Sequence, residues 1–442
     1  MKINVVSTKL IKPRNPTPQN LNNYHLSFTD EFVPPMNVRI LLFYQSNSKQ
    51  SITKLEDSLV QTLSRFHPLA GRYIKTDHLI DCSDQGAEFI EAEAVDVESI
   101  ALVEKMEPNQ LNHLLSRQFY EVDEATTLPL LSIQATHFKC GGVAIGVSVS
   151  HRVFDGASLE TFVLAWSSDC NAGDDGRTSA MISPSFDSPE LLPRGNLDCT
   201  TRFVDNSGAW NNLDNCVKRF LFTNEAINSL RYKLRQDKSK GISVMSRVRV
   251  VCAVVAKGLI GVDKARHGRS RPSLVVQAVN MRERTVPPLP EHSCGNLAVQ
   301  AITRSILMSE NVTSHVGELV RVLDEAIGET ASDCSRILSV GADGLSDIVV
   351  KASAVVTSSS GEANVVWFSD WSKFKFYGAD FGWGKPVWAS IGPVAGENTM
   401  ILTEKKEGGG IEAWVHLNST HNMAIFEQDE EIRLFAKCDY LN

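Results

Sequence analysis

A histidine followed four residues later by an aspartate, in His151–Arg152–Val153–Phe154–Asp155–Gly156, is the combination in this chain best suited to move a proton. An imidazole titrates near neutral pH and works as a base once its ring and tautomer are held. A lone H-x-x-x-D is equally a structural histidine at a strand end, so the spacing alone does not decide. Asp380–Phe381–Gly382–Trp383–Gly384–Lys385–Pro386 places two glycines around a tryptophan after an acid, a rigid turn whose backbone can approach another segment closely. Ala278–Val279–Asn280–Met281–Arg282–Glu283–Arg284 ends a strand with two arginines, either able to pair a buried acid. Taken singly, these two stretches read as a structural turn and a solvated charged turn. His67 and His137 read as packed or surface residues. No His/Cys/Asp/Glu group has metal-ligand spacing, and there is no phosphate-binding glycine loop.

The elements that must position His151 are legible around it. Val143, Ile145, Val147 and Val149 alternate with small residues, a strand with one apolar face. Leu159, Phe162, Val163 and Trp166 then recur at helical spacing, with Asp155 or Ser158 available as N-cap. Upstream, residues 1–20 are polar and proline-bearing, an extended lead-in, and Val38–Tyr44 reads as a buried strand. A helix through Ile52, Leu55, Leu59 and Leu63 follows, then short strands near Tyr73, Leu79 and Glu88 and a longer one from Leu130 to Phe138. Asn171 to Asn215 is loop-rich and fits an inter-domain connector. Beyond it lie a strand at Val217–Phe222, helices from Asn224 and over Ser246–Lys257, and a buried strand at Ser273–Met281. Val312–Ile327 and Ile337–Ser353 read as two helices, and Ala363–Phe368 and Pro386–Ile391 as strands. Met400–Thr403 and Ile411–His416 form a hairpin, and a helix closes the tail from Met423 to Cys438.

The bulk numbers bound the rest. A chain of 442 residues exceeds one ordinary core, so two mixed α/β domains of roughly 200 residues are expected. The boundaries fall at 1–195, a crossover at 196–216, and 217–442. A net charge of −8 makes nucleic acid or an anionic membrane a poor partner. Nine dispersed cysteines without a C-x-x-C pair suit reduced thiols in a cytoplasmic protein. No apolar run stands at the N-terminus or reaches the length of a membrane span.

In combination the motifs are specific. The chain resembles the plant BAHD acyltransferases, whose H-x-x-x-D-G and D-F-G-W-G signatures stand here at His151–Gly156 and Asp380–Gly384 in the expected order. Phe66–His67–Pro68–Leu69–Ala70–Gly71–Arg72, Val276–Arg282, Gly295–Asn296 and Ile411–Glu412–Ala413–Trp414 extend the match over nearly the whole chain. The resemblance implies two similar-sized, chloramphenicol-acetyltransferase-like domains with a solvent channel between them. It also implies acyl transfer from a coenzyme A thioester to a hydroxyl, with acyl-CoA as co-substrate, no permanently bound cofactor, no metal, and a monomer.

Carried over by residue, His151 is the general base and Asp155 a structural partner of an arginine, here Arg282. Asp380, Gly382, Trp383 and Gly384 are structural, and Trp371 lies near the developing oxyanion. Ser246 and Arg247 lie at the coenzyme A entrance, although Arg249 replaces the usual acid after them and Val255–Ala256 the usual Ile-Trp. Independently of the family, residues 231–249 hold seven basic side chains against one acid, Asp237, a concentration that suits a polyanion. The N-terminal Lys12–Gln19 segment, the Val276–Asn280 run and Pro287–Pro290 look most like the vinorine synthase-type alkaloid acetyltransferases of the family. The expected reaction is therefore O-acetylation of an alkaloid or terpenoid alcohol from acetyl-CoA. Phe154, Met36, Val38 and Ile40 would give the acceptor an apolar pocket. Malonyl- or hydroxycinnamoyl-CoA is the alternative donor, and a basic residue deep in the channel would favour malonyl. A non-catalytic partner protein of the same fold is the competing class, and it has no need of an intact His151.

Overall fold

The fold rests on two mixed six-stranded sheets, seen in a computed structural model. It describes residues 1–45, 52–98, 100–119, 127–172, 181–194, 216–236, 245–308, 315–358, 362–394 and 396–438. The strands of the first half are β1 (Ile3–Ile11), β2 (Asn23–His25), β3 (Asn37–Tyr44), β4 (Arg72–Ile74), β5 (Leu79–Asp81), β6 (Ala87–Ala94), β7 (Leu131–Phe138) and β8 (Val143–Ser150). Those of the second are β9 (Cys216–Thr223), β10 (Ser273–Asn280), β11 (Ala298–Ile302), β12 (Asn364–Asp370), β13 (Trp388–Ser390), β14 (Thr399–Glu404) and β15 (Gly410–Leu417). The first sheet runs β1-β6-β7-β8-β3-β13 and the second β11-β10-β12-β14-β15-β9, with β2, β4 and β5 in a small third sheet. The mixed α/β class expected from the pattern is what is found.

Each sheet buries one face under helices. In the first half Ile52–Leu63 and Gly156–Ala172 cover the sheet, and the Trp166 indole N–H bonds Leu55 O and Ser58 Oγ between them. In the second half Arg247–His267 and His315–Ser358 do the same. A separate apolar layer ties the two halves together: Leu41, Phe43 and Ala144 of the first sheet meet Trp388, Ile401 and Trp414. β13 belongs by sequence to the second half yet pairs with β3 of the first sheet, Trp388 opposite Phe43.

Three expectations differ in detail. The lead-in is partly a true strand, β1, paired antiparallel with β6. As an edge strand it needs only backbone partners on one side, so its mostly exposed residues show no apolar alternation. The two helices read at 312–327 and 337–353 are one helix, His315–Ser358, because the stretch between them holds no proline and Gly328 costs only about 1 kcal/mol. The tail is two helices, Thr420–Glu427 and Glu430–Phe435, where Asp429 ends one run by capping the next. Nearly all of the crossover at 196–216 lies outside the described residues, as do Lys238 and Lys240. Among the described residues no helix is long and apolar enough to cross a membrane.

Candidate active site

β8 delivers His151. Its backbone N–H donates to Met36 O at 2.8 Å, and Val153 N–H returns to Ser150 O, closing the turn that leads into the helix Gly156–Ala172. Asp155 caps that helix, its Oδ1 accepting from Ser158 N–H at 2.8 Å and Ser158 O–H at 2.9 Å. The same carboxylate takes both arms of the Arg282 guanidinium, at 2.8 and 3.0 Å, and the Leu297 N–H at 3.1 Å. Arg282 Nε donates to Ser293 O. Burial pushes the Asp155 carboxyl up, but Arg282 and the Ser158 donors outweigh it and hold the group below the usual carboxylate range. Those partners occupy Asp155, and none of its hydrogen bonds described here goes to the imidazole.

The imidazole is held by Asn296, from the segment between β10 and β11. Its Oδ1 lies 2.8 Å from His151 Nδ1, and its Nδ2 donates to His151 O at 2.6 Å and to Asp30 Oδ1 at 2.8 Å. With two acceptors facing the amide nitrogen, the oxygen must face the ring. The Nδ1 therefore carries the hydrogen, and Nε2 keeps its lone pair. Asp30 also accepts from Asn296 N–H, Ser27 N–H and Ser27 O–H, and burial pushes it up to about 6. Burial lowers His151, so the ring is neutral at physiological pH.

A cavity of about 1480 Å³ opens between residues of both halves, lined by His151, Met36, Val38, Asn296, Ser246 and Trp371 among others. Trp371 sits in an aromatic cluster with Phe374 and Phe376, and its indole N–H is spent on Ser369 Oγ at 3.1 Å. Gly156 admits that cluster: a Cβ there would lie 2.7 Å from Phe374 and 3.2 Å from Trp371. Ser246 caps Arg247–His267 at the cavity wall, with Val248 and Arg249 beside it. Arg247 is not part of that wall and pairs with Glu404, while Arg249 pairs with Asp324. The basic stretch is thus partly neutralised by the chain itself.

The D-F-G-W-G stretch lies away from the cavity. Asp380 Oδ1 accepts from Gly382 and Gly384 N–H at 2.8 and 2.9 Å, and both glycines have positive φ near +90°. Phe381 is fully buried, its ring edge-on to Trp166 and Tyr44. Phe154, expected at the acceptor, instead packs in the core against Phe66 and Phe186, because the tight turn after β8 swings it under the sheet. Ile40 also faces the core, leaving Met36 and Val38 on the cavity. Asn296 and Asp30 carry no role in the sequence reading. The S-x-x-D capping box of Ser27–Asp30 was the one local signal for the latter.

The family model described as the Transferase family matches residues 1–433. A pelargonidin 3-O-(6-caffeoylglucoside) 5-O-(6-O-malonylglucoside) 4'''-malonyltransferase of Salvia splendens is 46% identical, covering 98% of this chain and 100% of the relative. A limonoid 1-O-acetyltransferase of Citrus sinensis is 32% identical over 99% of each chain. The crystal structure of vinorine synthase superposes with a TM-score of 0.80 at 28% identity, covering 99% of each chain.

Proposed function

The chain belongs to the Transferase family, the BAHD acyltransferases, and from that premise we propose that it transfers an acyl group from coenzyme A to a hydroxyl of a plant specialised metabolite, with His151 as general base. The observation that carries this reading is a neutral, Nδ1-protonated imidazole on the wall of a large cavity shared by both halves.

His151 Nε2 takes the acceptor's hydroxyl proton as that oxygen attacks the thioester carbonyl. The tetrahedral intermediate collapses, the C–S bond breaks, and the imidazolium returns the proton to the departing thiolate. Asn296 fixes the tautomer throughout, and the Asp30 carboxylate behind it steadies the imidazolium formed midway. Asp155 and Arg282 act on the loop rather than on the proton, bolting the first-half turn to the Met281–Leu297 segment of the second. Trp371 would reach an oxyanion only by releasing Ser369, so its support here is the placement of its ring. Ser246 stands where the helix N-terminus of Arg247–His267 meets the cavity, suited to the anionic end of coenzyme A.

Two donors compete. The sequence resemblance to alkaloid acetyltransferases favours acetyl-CoA and an alkaloid or terpenoid alcohol. The 46% identical relative favours malonyl-CoA and a glycosylated phenolic acceptor. Thiol release from acetyl-, malonyl- and p-coumaroyl-CoA, each with alkaloid, terpenoid and anthocyanin-glucoside alcohols, decides between them. Release that requires one donor together with one alcohol supports the transferase. A chain that binds none of the donors is the non-catalytic partner instead.

A further inference from the structure

One cation in the cavity wall takes no part in the chemistry above. Arg39 stands within β3, a strand otherwise apolar from Val38 to Tyr44, and is only 3% exposed. It faces the same side as Leu41 and Phe43, toward the second half, and lines the cavity together with Phe119, Ile391, Val394 and Ile401. Met36, whose carbonyl holds the His151 N–H, is three residues back along the chain. At about 3.3 Å per residue the backbones of Met36 and Arg39 lie roughly 10 Å apart along the strand direction.

The guanidinium has three described hydrogen-bond acceptors. Nη1 donates to Asn112 Oδ1 at 3.2 Å and Arg117 O at 3.3 Å, and Nη2 donates to Pro393 O. All three acceptors are neutral. Nε is buried, and among the described residues it donates to nothing and no carboxylate pairs with Arg39. Its flank is the Phe119 ring, 5.4 Å from the guanidinium carbon. Burial lowers the group to about 9, so it stays charged at neutral pH. Among the other described buried arginines, Arg282 has Asp155 and Arg219 has Glu412, whereas Arg72 donates to the backbone carbonyls of Thr127, Gly71 and Gly86 and does not line the cavity. A buried cation without a counter-charge is costly, and three of its five N–H groups are used, leaving Nε–H and one Nη2–H, the edge that makes a two-pronged carboxylate contact, unspent.

We infer that Arg39 is the subsite for a carboxylate at the far end of the acyl group, so that the cavity selects a dicarboxylic acyl donor of malonyl-CoA type over acetyl-CoA. This rests on the acyltransferase reading and names the donor for it. The carboxylate supplies the missing charge and takes the unused N–H groups, while the apolar wall excludes water from the pair.

Calorimetric titration of the free enzyme with malonyl-CoA, acetyl-CoA and coenzyme A tests it without knowledge of the acceptor. Malonyl-CoA is expected to bind roughly 10- to 100-fold more tightly than acetyl-CoA, the worth of one charge-assisted pair. In Arg39→Met that ratio falls to near one, and in Arg39→Lys part of it returns, because the charge is kept without the fork. Equal binding of the two donors by the wild type overturns the inference whatever the variants do. So does a preference that survives in Arg39→Met, which would leave Arg39 as a tie between the Arg117 and Pro393 carbonyls. Failure of all three ligands to bind the wild type counts against the acyltransferase reading instead.

Discussion

Breaking the Asp155–Arg282 pair from either side should destabilise the protein far more than breaking it from both. Both side chains are almost fully buried, and the contact is two-pronged. Removing one partner of such a pair strands the other charge and costs about 3–5 kcal/mol. At about 2 °C per kcal/mol for a domain of this size, that is a drop of roughly 6–10 °C in the unfolding midpoint. The two single variants should differ in their pH dependence. In the wild type the Asp155 carboxyl sits below its ordinary range, so its stabilisation is present above about pH 4 and lost as pH falls through the lowered value. In Arg282→Met burial dominates and raises the group, so stability is lost as pH rises through the new value and the deficit shrinks on mild acidification. Asp155→Asn shows no such recovery. In the double variant Asp155→Asn/Arg282→Met the loss should be smaller than in either single variant, so that it undershoots their sum by more than about 3 kcal/mol. Thermal unfolding followed by circular dichroism between pH 5 and 8 reads all three. Additive losses, or single losses under about 2 °C, would refute the claim that this pair bolts the catalytic loop to the second half.

The remaining expectations follow from the same geometry. Asn296→Ala frees the imidazole tautomer, so kcat should fall within the roughly 10²–10⁴-fold that general-base catalysis supplies while KM for the acyl-CoA holds; a KM effect with unchanged kcat would contradict this. Because burial lowers His151, the neutral base persists on acidification, and the acid limb of kcat/KM should lie below pH 6.5; a midpoint above that value would contradict the burial argument. Asp380→Ala loses two turn bonds of about 1 kcal/mol each, lowering the unfolding midpoint while kcat per folded molecule stays within twofold. A large kcat loss at an unchanged midpoint would place Asp380 in the chemistry.

What the sequence discloses here is what neighbouring residues decide among themselves. The period-two run into His151, the capping carboxylate at Asp155 and the glycines after Asp380 are local, and each is visible in a few residues. The clamp on the imidazole is not, because Asp30, His151 and Asn296 come from three distant segments that meet only after both halves pack. β1 was hidden because an edge strand needs no apolar alternation, and the direction of Phe154 because one tight turn reverses which face a side chain takes. Arg39 reads in sequence as an interruption of an apolar strand. Its missing counter-charge is a property of the folded cavity alone.

The central claim, that His151 is the base, is tested most directly by thiol release in His151→Ala beside the wild type, with coenzyme A binding measured on the same samples. The expected result is turnover lowered by roughly 10²–10⁴-fold with coenzyme A binding retained. Turnover within a few-fold of the wild type would contradict the mechanism, leaving His151 a structural residue at the end of β8.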